Sequence, residues 1–311
     1  MKARLLAALL LLLGIVVLAQ QPQAQLRVLG CSGSGAGKMI LFKPCTVASP
    51  SYVGPGDVGI TTPLAWAGLR AFSAATRGNN AIHVCNPGDI TCADMVTDAT
   101  TGALVVTTVG GSDCSIVVCT VQTIYDQTAG GNCTGSCNLV QPTIANRAAL
   151  TVSCSGLTSR PCLTLNGTSS VYQAGNFSGQ SQPFVYNFIF NHPFTSARQD
   201  IAATIGLNLG GTAGNVFCAL GGFDQISGSG LDGNWGSLSV LGNGASSDIH
   251  VNSAAPNIVD CGTGALTTPF QLGGTSNFLS GSAVEFGVWN SGPSSTTMNT
   301  LSANAHTFWG F

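Results

Sequence analysis

The chain has 311 residues, 44% hydrophobic and only 7% charged, with a formal net charge of −2. Its ten Lys and Arg are scattered, which excludes a basic nucleic-acid surface, and its 41 glycines follow no Gly-X-Y period, which excludes a collagen-like rod. That length, with turn-forming Gly, Ser, Thr and Asn throughout, suits one large all-β domain.

The first residues, "MKARLLAALLLLLGIVVLAQQPQAQ", have the form of a secretory signal peptide over residues 1–24. Lys2 and Arg4 form the basic region, Leu5 to Leu18 the apolar run, and Val17, Ala19 and Ala24 offer small residues for cleavage. The run is shorter than the roughly 20 residues of a spanning helix. Cleavage removes two positive charges, and the expected location is secreted, periplasmic or cell-surface, with no membrane partner. Residues 25–50 read as a Gly/Ser-rich leader. There "CSGSGAGKMI" departs from a phosphate-binding loop, with Ser32 in place of the first Gly and Met39 in place of Ser or Thr, so no nucleotide cofactor is expected.

Residues 51–311 read as one β-sandwich domain. "LAWAGLRAFSAATRG", Leu64 to Gly78, is the best helix, with Leu64, Ala67, Gly68 and Ala71 at helical spacing. Short strands then follow between turn clusters, at Ala103–Val109, Ser115–Tyr125, Leu163–Leu165, Phe184–Phe190, Ile201–Leu209, Val216–Leu220, Gly236–Leu241, Asp248–Val251, Phe270–Leu272 and Val284–Trp289. "FVYNFIF" reads as a central strand buried on both faces. A short helical turn is expected in "SSTTMNTLSANAHTF", capped by Ser294 or Ser295. Such spacing with so few helices points to a sandwich or barrel.

Twelve cysteines, an even number, suit an oxidising compartment. Sequence proximity suggests Cys31–Cys45, Cys85–Cys92, Cys114–Cys119, Cys133–Cys137 and Cys154–Cys162, which leaves Cys218 with Cys261, although spacing alone does not determine connectivity. No Cys-x-x-Cys pair occurs and the four histidines, His83, His192, His250 and His306, are isolated, so no metal site is expected. Asn132, Asn166 and Asn176 begin glycosylation sequons, which an Asn-, Ser- and Thr-rich chain produces by chance.

Acids are rare enough to be informative: there are twelve, and Glu285 is the one glutamate. Glycoside hydrolysis needs two carboxyls around the scissile bond. Asp224 and Asp232 are candidates, although Asp232 in "LDGNW" also suits a hairpin turn. Glu285 lies in an apparent core strand, which favours a structural acid. Trp235 could stack on a sugar ring or sit half-buried in the sandwich. In "VQTIYDQTAGGN", Asp126 and Gln127 read chiefly as turn residues that bond backbone groups where a strand leaves the sheet. Substrate contact by Asp126 is the other reading.

The ordered series "GLRAFSAATRGNNAIHVC", "ADMVTDATTGALVV", "CTVQTIYDQTAGGN" and "QPTIANRAAL" resembles the amino-terminal half of the catalytic domain of family B α-L-arabinofuranosidases. The resemblance covers roughly Leu69 to Leu150, and "VEFGVWNSG…NTLSANAHTFWGF" is similar to the closing strand and tail of concanavalin-like sandwiches. It implies a secreted, concanavalin-like jelly-roll β-sandwich with one or two short helices and several disulfides. In that family a glutamate nucleophile follows a Gly-x-Trp in a strand of Asp-x-Glu type. Here "DGNWGSLSVLGNG" places Leu241 at the nucleophile and Ser239 at the accompanying Asp. The family's acid, in a Gly-Gly-Asp-Asn type turn, is matched by Ser276 and Asn277 of "LGGTSNFLSG". The family's adjacent sugar-pocket cysteines become Gly221 and Gly222, with Phe223 and Asp224 retained. Substrate contacts implied at this stage are Trp235, Asp224, Gly221, Gly222 and Asp126. A Leu or Asn can neither form a glycosyl ester nor protonate a leaving oxygen. The first reading is therefore a non-catalytic or diverged glycan-binding relative. The alternatives are an active, retaining α-L-arabinofuranosidase on arabinose-containing polysaccharide, and a structural part of an envelope or phage-like particle.

Overall fold

The computed structural model describes residues 51–60, 63–193, 199–202, 207–210, 215–218, 224–226, 229–231, 233–266, 269–274, 278–290 and 294–311. The expected signal peptide and leader, with Cys31 and Cys45, lie outside these. The described residues form antiparallel strands, three single-turn 3-10 segments and one α-helix.

The 11-residue strand Ser280–Asn290 is the hub of the main sheet. Phe184–Asn191 runs antiparallel to it on one side. On the other side its second half pairs with Pro63–Gly68 and its first half with Cys162–Asn166. The sheet continues beyond Phe184–Asn191 through Trp235–Gly242 and Ser247–Val251 to an edge at Asn257–Val259. Beyond Cys162–Asn166 it continues through Ala148–Thr151, Cys119–Ile124, Leu139–Val140 and Tyr172–Asn176 to Pro269–Leu272. Asn80–Cys85 joins Cys119–Ile124 and carries Cys92–Val96 as its hairpin partner. A second, four-stranded sheet runs Gln199–Ala202, Leu207–Gly210, Asn215–Cys218, Asp224–Ile226. This is an all-β, concanavalin-like jelly-roll sandwich with one main helix.

The helix expected over Leu64–Gly78 is instead a strand, Pro63–Gly68, followed by a 3-10 turn at Ala74–Thr76. The strand is buried on both faces, so its apolar residues need no alternation and mimic a helical stripe. Trp66 lies opposite Gly287 in the register. A Cβ on Gly287 would come within 2.5 Å of Trp66 Cδ1 and 2.7 Å of Trp289, so glycine is what lets the two indoles meet there. Three expected strands also changed. Ala103–Val109 keeps only Thr108–Val109 as strand, with isolated bridges at Ala103 and Leu104. Ser115–Tyr125 shortens to Cys119–Ile124, because the Cys114–Cys119 disulfide closes residues 115–118 into a loop. In place of Ile201–Leu209 stand two antiparallel strands, Gln199–Ala202 and Leu207–Gly210, with Asp200 opposite Asn208.

Phe184–Asn191 is buried almost throughout, as expected of a central strand. Its one interior polar residue, Asn187, donates to Ser239 Oγ at 2.8 Å. The short turn expected at the end of the chain is a full helix, Ser295–Trp309, capped by Ser294 and ended by Gly310 in the left-handed region. A 15-residue helix is marginal alone. This one buries Met298 and Leu301 against Trp66, Val185 and Trp289, each apolar side chain stabilising the docking by roughly 1.5–3 kcal/mol. All five disulfides expected among the described cysteines are formed.

Candidate functional site

A cleft of about 730 Å³ opens where three neighbouring strands meet a disulfide loop. Thr151, Thr164 and Ser282 come from neighbouring strands, and Ser155 and Gly156 from the loop closed by Cys154–Cys162. Asn191, Gly233, Asn234 and Trp235 form the opposite wall, and Phe311 adds an apolar edge. Thr151 and Thr164 join hydroxyl to hydroxyl at 2.8 Å, and Asn191 Nδ2 donates to the Gly233 carbonyl at 3.0 Å. No Asp, Glu, Lys, Arg or His side chain lines the cleft among the described residues. It offers neutral donors and acceptors beside aromatic edges.

Trp235 lines this cleft as part of its wall and presents no open platform. It is 7% exposed, and its indole N–H donates to the Ser155 carbonyl at 2.7 Å. Gly156, at φ +81°, packs against the ring: a Cβ there would lie 2.8 Å from Cδ1. A buried indole seeks a partner for its N–H, and the loop carbonyl supplies it.

Asp126 belongs to a different place. Its Oδ1 accepts from Trp66 N at 2.9 Å and Thr128 N at 3.1 Å. Gln127 accepts from Phe72 N at 3.1 Å and donates to the Gly68 and Arg70 carbonyls at 3.0 and 2.9 Å. Together these side chains fasten the Pro63–Gly68 segment to the turn after Cys119–Ile124, with the Cys133–Cys137 loop alongside. Burial pushes the Asp126 carboxyl above its ordinary value, against the opposing pull of the Trp66 and Thr128 hydrogen bonds. Gln127 and Thr128 also line a second cleft, of about 500 Å³, with Leu64, Phe72 and Asn132. That cleft too has no Asp or Glu side chain among its described lining residues.

Several of the other described acids have fixed partners. Glu285 and Arg70 are each 1% exposed and paired, with Arg70 Nη2 donating to Oε2 at 3.0 Å, and the Trp309 indole also donates to Glu285. Asp89 pairs with Arg147 at 2.9 Å, Asp57 accepts from Gly54 N and Ala74 N, and Asp98 and Asp113 close local turns. Asp224 starts the last strand of the four-stranded sheet, opposite Cys218. Gly221, Gly222, Asp232, Ser276 and Asn277 lie outside the described residues.

Leu241 and Ser239, the positions that the resemblance equates with carboxylates, face the covering helix. Leu241 stands opposite Asp248, and Ser239 opposite His250. Leu241 packs on the Trp66–Met298 cluster, and Ser239 is 1% exposed. His250 Nε2 lies 2.8 Å from Asp248 Oδ2, and its Nδ1 3.1 Å from Asn299 Oδ1 of the helix. The helix therefore covers the strand face carrying these residues, burying Ser239 and partly burying Leu241.

One polar cluster escaped the sequence reading. His83 Nδ1 lies 2.6 Å from Asp94 Oδ1, to which the Tyr125 hydroxyl donates at 2.7 Å, and Asn80 Nδ2 donates to Oδ2 at 2.8 Å. Burial raises the Asp94 carboxyl, but the bonds from Tyr125 and His83 outweigh it and hold the group below the usual carboxylate range. The available signal was strand alternation on either side of Cys85 and Cys92, which puts His83 and Asp94 on one face of a hairpin. No described group of three or more His, Cys, Asp or Glu is arranged to hold a metal ion, and no described helix is long and apolar enough to cross a membrane.

No family model matches the sequence, and no curated protein matches it. Among solved structures, the fold is similar to a GH54 α-L-arabinofuranosidase soaked with a cyclic sulfate inhibitor, at 16% identity and TM-score 0.59. That alignment covers 83% of this chain and 66% of the other. It is also similar to an arabinofuranosidase complexed with arabinofuranosyl-α-1,2-xylobiose, at 15% identity and TM-score 0.59, covering 83% of this chain and 65% of that one. The chain thus spans just under two thirds of the length of these structures, and what it shares with them is the arabinofuranosidase-type β-sandwich fold.

Proposed function

We propose that the protein is an exported, non-catalytic relative of the arabinofuranosidase-type sandwich that binds neutral glycan. The observation carrying this reading is the coupling of a hydroxyl- and amide-lined cleft of about 730 Å³, with no charged side chain among its described lining, with the covering of Ser239 and part of Leu241 by a helix. Hydrolysis by two carboxyls needs them roughly 5–10 Å apart around open space. Neutral sugar hydroxyls need paired donors and acceptors beside apolar edges, which Thr151, Thr164, Ser282 and Asn191 with Phe311 provide. Export is supported by the signal-like first 24 residues and by disulfides in the described part.

The test is retention of the oxidised, signal-free protein on arabinan and arabinoxylan gels, with p-nitrophenyl α-L-arabinofuranoside hydrolysis measured in parallel. Binding without turnover is expected. Thr164→Arg, at an exposed position on the cleft floor, should abolish cleft binding while leaving the fold intact. Turnover that disappears in Asp224→Asn or Asp232→Asn would replace this reading with an active glycosidase whose carboxyls have moved.

A further inference from the structure

We infer that the solvent face of the sheet around Tyr125 is a second sugar-binding surface, on which a linear neutral polysaccharide lies across the strands. The inference rests on the glycan-binding reading above and adds a second site, whose residues are distinct from those lining the cleft. Cross-strand partners share a face. The register sets Asp94 opposite His83, His83 opposite Thr123, Thr123 opposite Val140, and Val140 opposite Gln173. Their sequence neighbours Met95, Ile82, Ile124, Leu139 and Tyr172 point into the core at 1% exposure or less. The row therefore faces solvent across five strands, a span of roughly 19 Å at about 4.8 Å per step. At its far end Val140 and Gln173 line a shallow cleft of about 360 Å³ with Asn146, Ser169 and Phe278.

A polar sheet face is ordinary in a sandwich, since one side of each strand commonly meets water. The distinguishing feature here is fixation at its head. Asp94 takes hydrogen bonds from Tyr125 and Asn80 and pairs with His83, all between 2.6 and 2.8 Å. The carboxylate is spent inside the cluster, so it anchors the Tyr125 ring rather than contacting ligand. An anchored aromatic loses little freedom on binding and offers a flat apolar face to sugar C–H groups. Of the remaining positions of the row, Val140 is apolar, and Thr123 and Gln173 carry uncharged hydrogen-bonding groups that match sugar hydroxyls, the Gln173 amide also donating to Gln271 at 3.0 Å. Apart from the anchored Asp94–His83 pair the row is unionised, so the occupant is a neutral chain rather than a uronate polymer.

The experiment is isothermal titration with soluble arabinoxylan and linear arabinan on the oxidised protein, on Tyr125→Ala, Thr123→Arg and Gln173→Arg, and on the cleft variant Thr164→Arg. Circular dichroism and melting first confirm that each variant is folded; Gln173→Arg, at an exposed position, serves if Tyr125→Ala is not. Row variants should weaken polymer binding roughly tenfold or more, the loss of one aromatic or groove contact, while Thr164→Arg leaves row binding in place. If the row variants bind as wild type and Thr164→Arg loses all affinity, this inference is overturned and the cleft reading stands. If only the row variants lose affinity, this inference stands and the cleft reading falls. If wild type binds neither polymer, both are overturned.

Discussion

Glu285, the one glutamate of the chain, is where a structural and a catalytic assignment diverge most sharply. Its carboxylate and the Arg70 guanidinium are each 1% exposed, with Nε 2.5 Å from Oε1 and Nη2 3.0 Å from Oε2. Trp309 of the terminal helix donates to the same carboxylate, and Arg70 stacks over Phe308 at 4.7 Å. Glu285→Gln keeps an acceptor but leaves a guanidinium uncompensated in the interior. Removing one partner of such a pair costs about 3–5 kcal/mol. In a domain of this size that corresponds to a fall in melting temperature of roughly 6–20 °C, at about 2–4 °C per kcal/mol. Arg70→Met with Glu285→Leu removes both charges and leaves only the Trp309 N–H unpaired, a penalty of about 1–3 kcal/mol. The double variant should therefore melt above the Glu285→Gln single variant. Melting followed by circular dichroism on the oxidised protein reads this directly, and glycan affinity per folded molecule should not change. A Glu285→Gln protein that melts within about 4 °C of wild type, or that loses ligand binding without losing stability, would refute the assignment.

Asp126 and Asp94 should titrate with opposite effects on stability. The folded state raises Asp126 above its ordinary 3.8, so its contribution is present below that value and lost as pH rises through the folded one. Asp126→Asn, compared with wild type by urea denaturation from pH 3 upward, should gain relative stability over the window just above 3.8; parallel curves would contradict this. Asp94 is lowered from 3.8, so its contribution is present above that value and lost as pH falls through the folded one, and Asp94→Asn should remove that acid-side loss. The Cys218–Cys261 bridge spans 43 residues, against 4 for Cys133–Cys137. Loop entropy gives about 4 kcal/mol for the first and about 2 for the second, so paired Cys→Ser variants should rank in that order on unfolding in urea. Gly287→Ala should destabilise by about 1–3 kcal/mol through overpacking against Trp66 and Trp289, read as a lower urea midpoint at unchanged slope.

Which parts of the structure were legible in the sequence depends on what kind of physics specified them. The Phe184–Asn191 strand, four of the five disulfides among the described cysteines and the structural use of Asp126 and Gln127 were readable, because each rests on local chemistry: an apolar run, short cysteine spacing, turn-forming side chains; Cys218–Cys261 followed as the pair left over. Pro63–Gly68 was misread because the same small and apolar residues satisfy a helical stripe and a strand buried on both faces, and only the opposing glycine, 221 residues later, decides between them. The terminal helix was read as a turn for a related reason. Its Ser, Thr and Asn content lowers intrinsic propensity, and its stability comes from docking on Trp66 and Trp289.

The same distinction governs the site. Missing carboxylates are a statement about residue types, so the expectation at Leu241 and Ser239 follows from the resemblance's register alone. The helix over them could not be read that way, since it needs Met298, Leu301 and Asn299 to meet a strand more than 45 residues earlier. The cleft beside Trp235 depends on Ser155 and Gly156 closing on an indole 80 residues away. The His83–Asp94–Tyr125 cluster depends on three strands coming into register. The helix covers the strand face that carries Leu241 and Ser239, and the cleft beside Trp235 is lined by other residues. A carboxylate at position 241 should not by itself produce hydrolysis: Leu241→Glu places a charge at a partly buried position against the cluster of Trp66 and Met298, and stability should fall. Measurable turnover of p-nitrophenyl α-L-arabinofuranoside by a stably folded Leu241→Glu protein would show that the helix lifts and that the space is a usable active site.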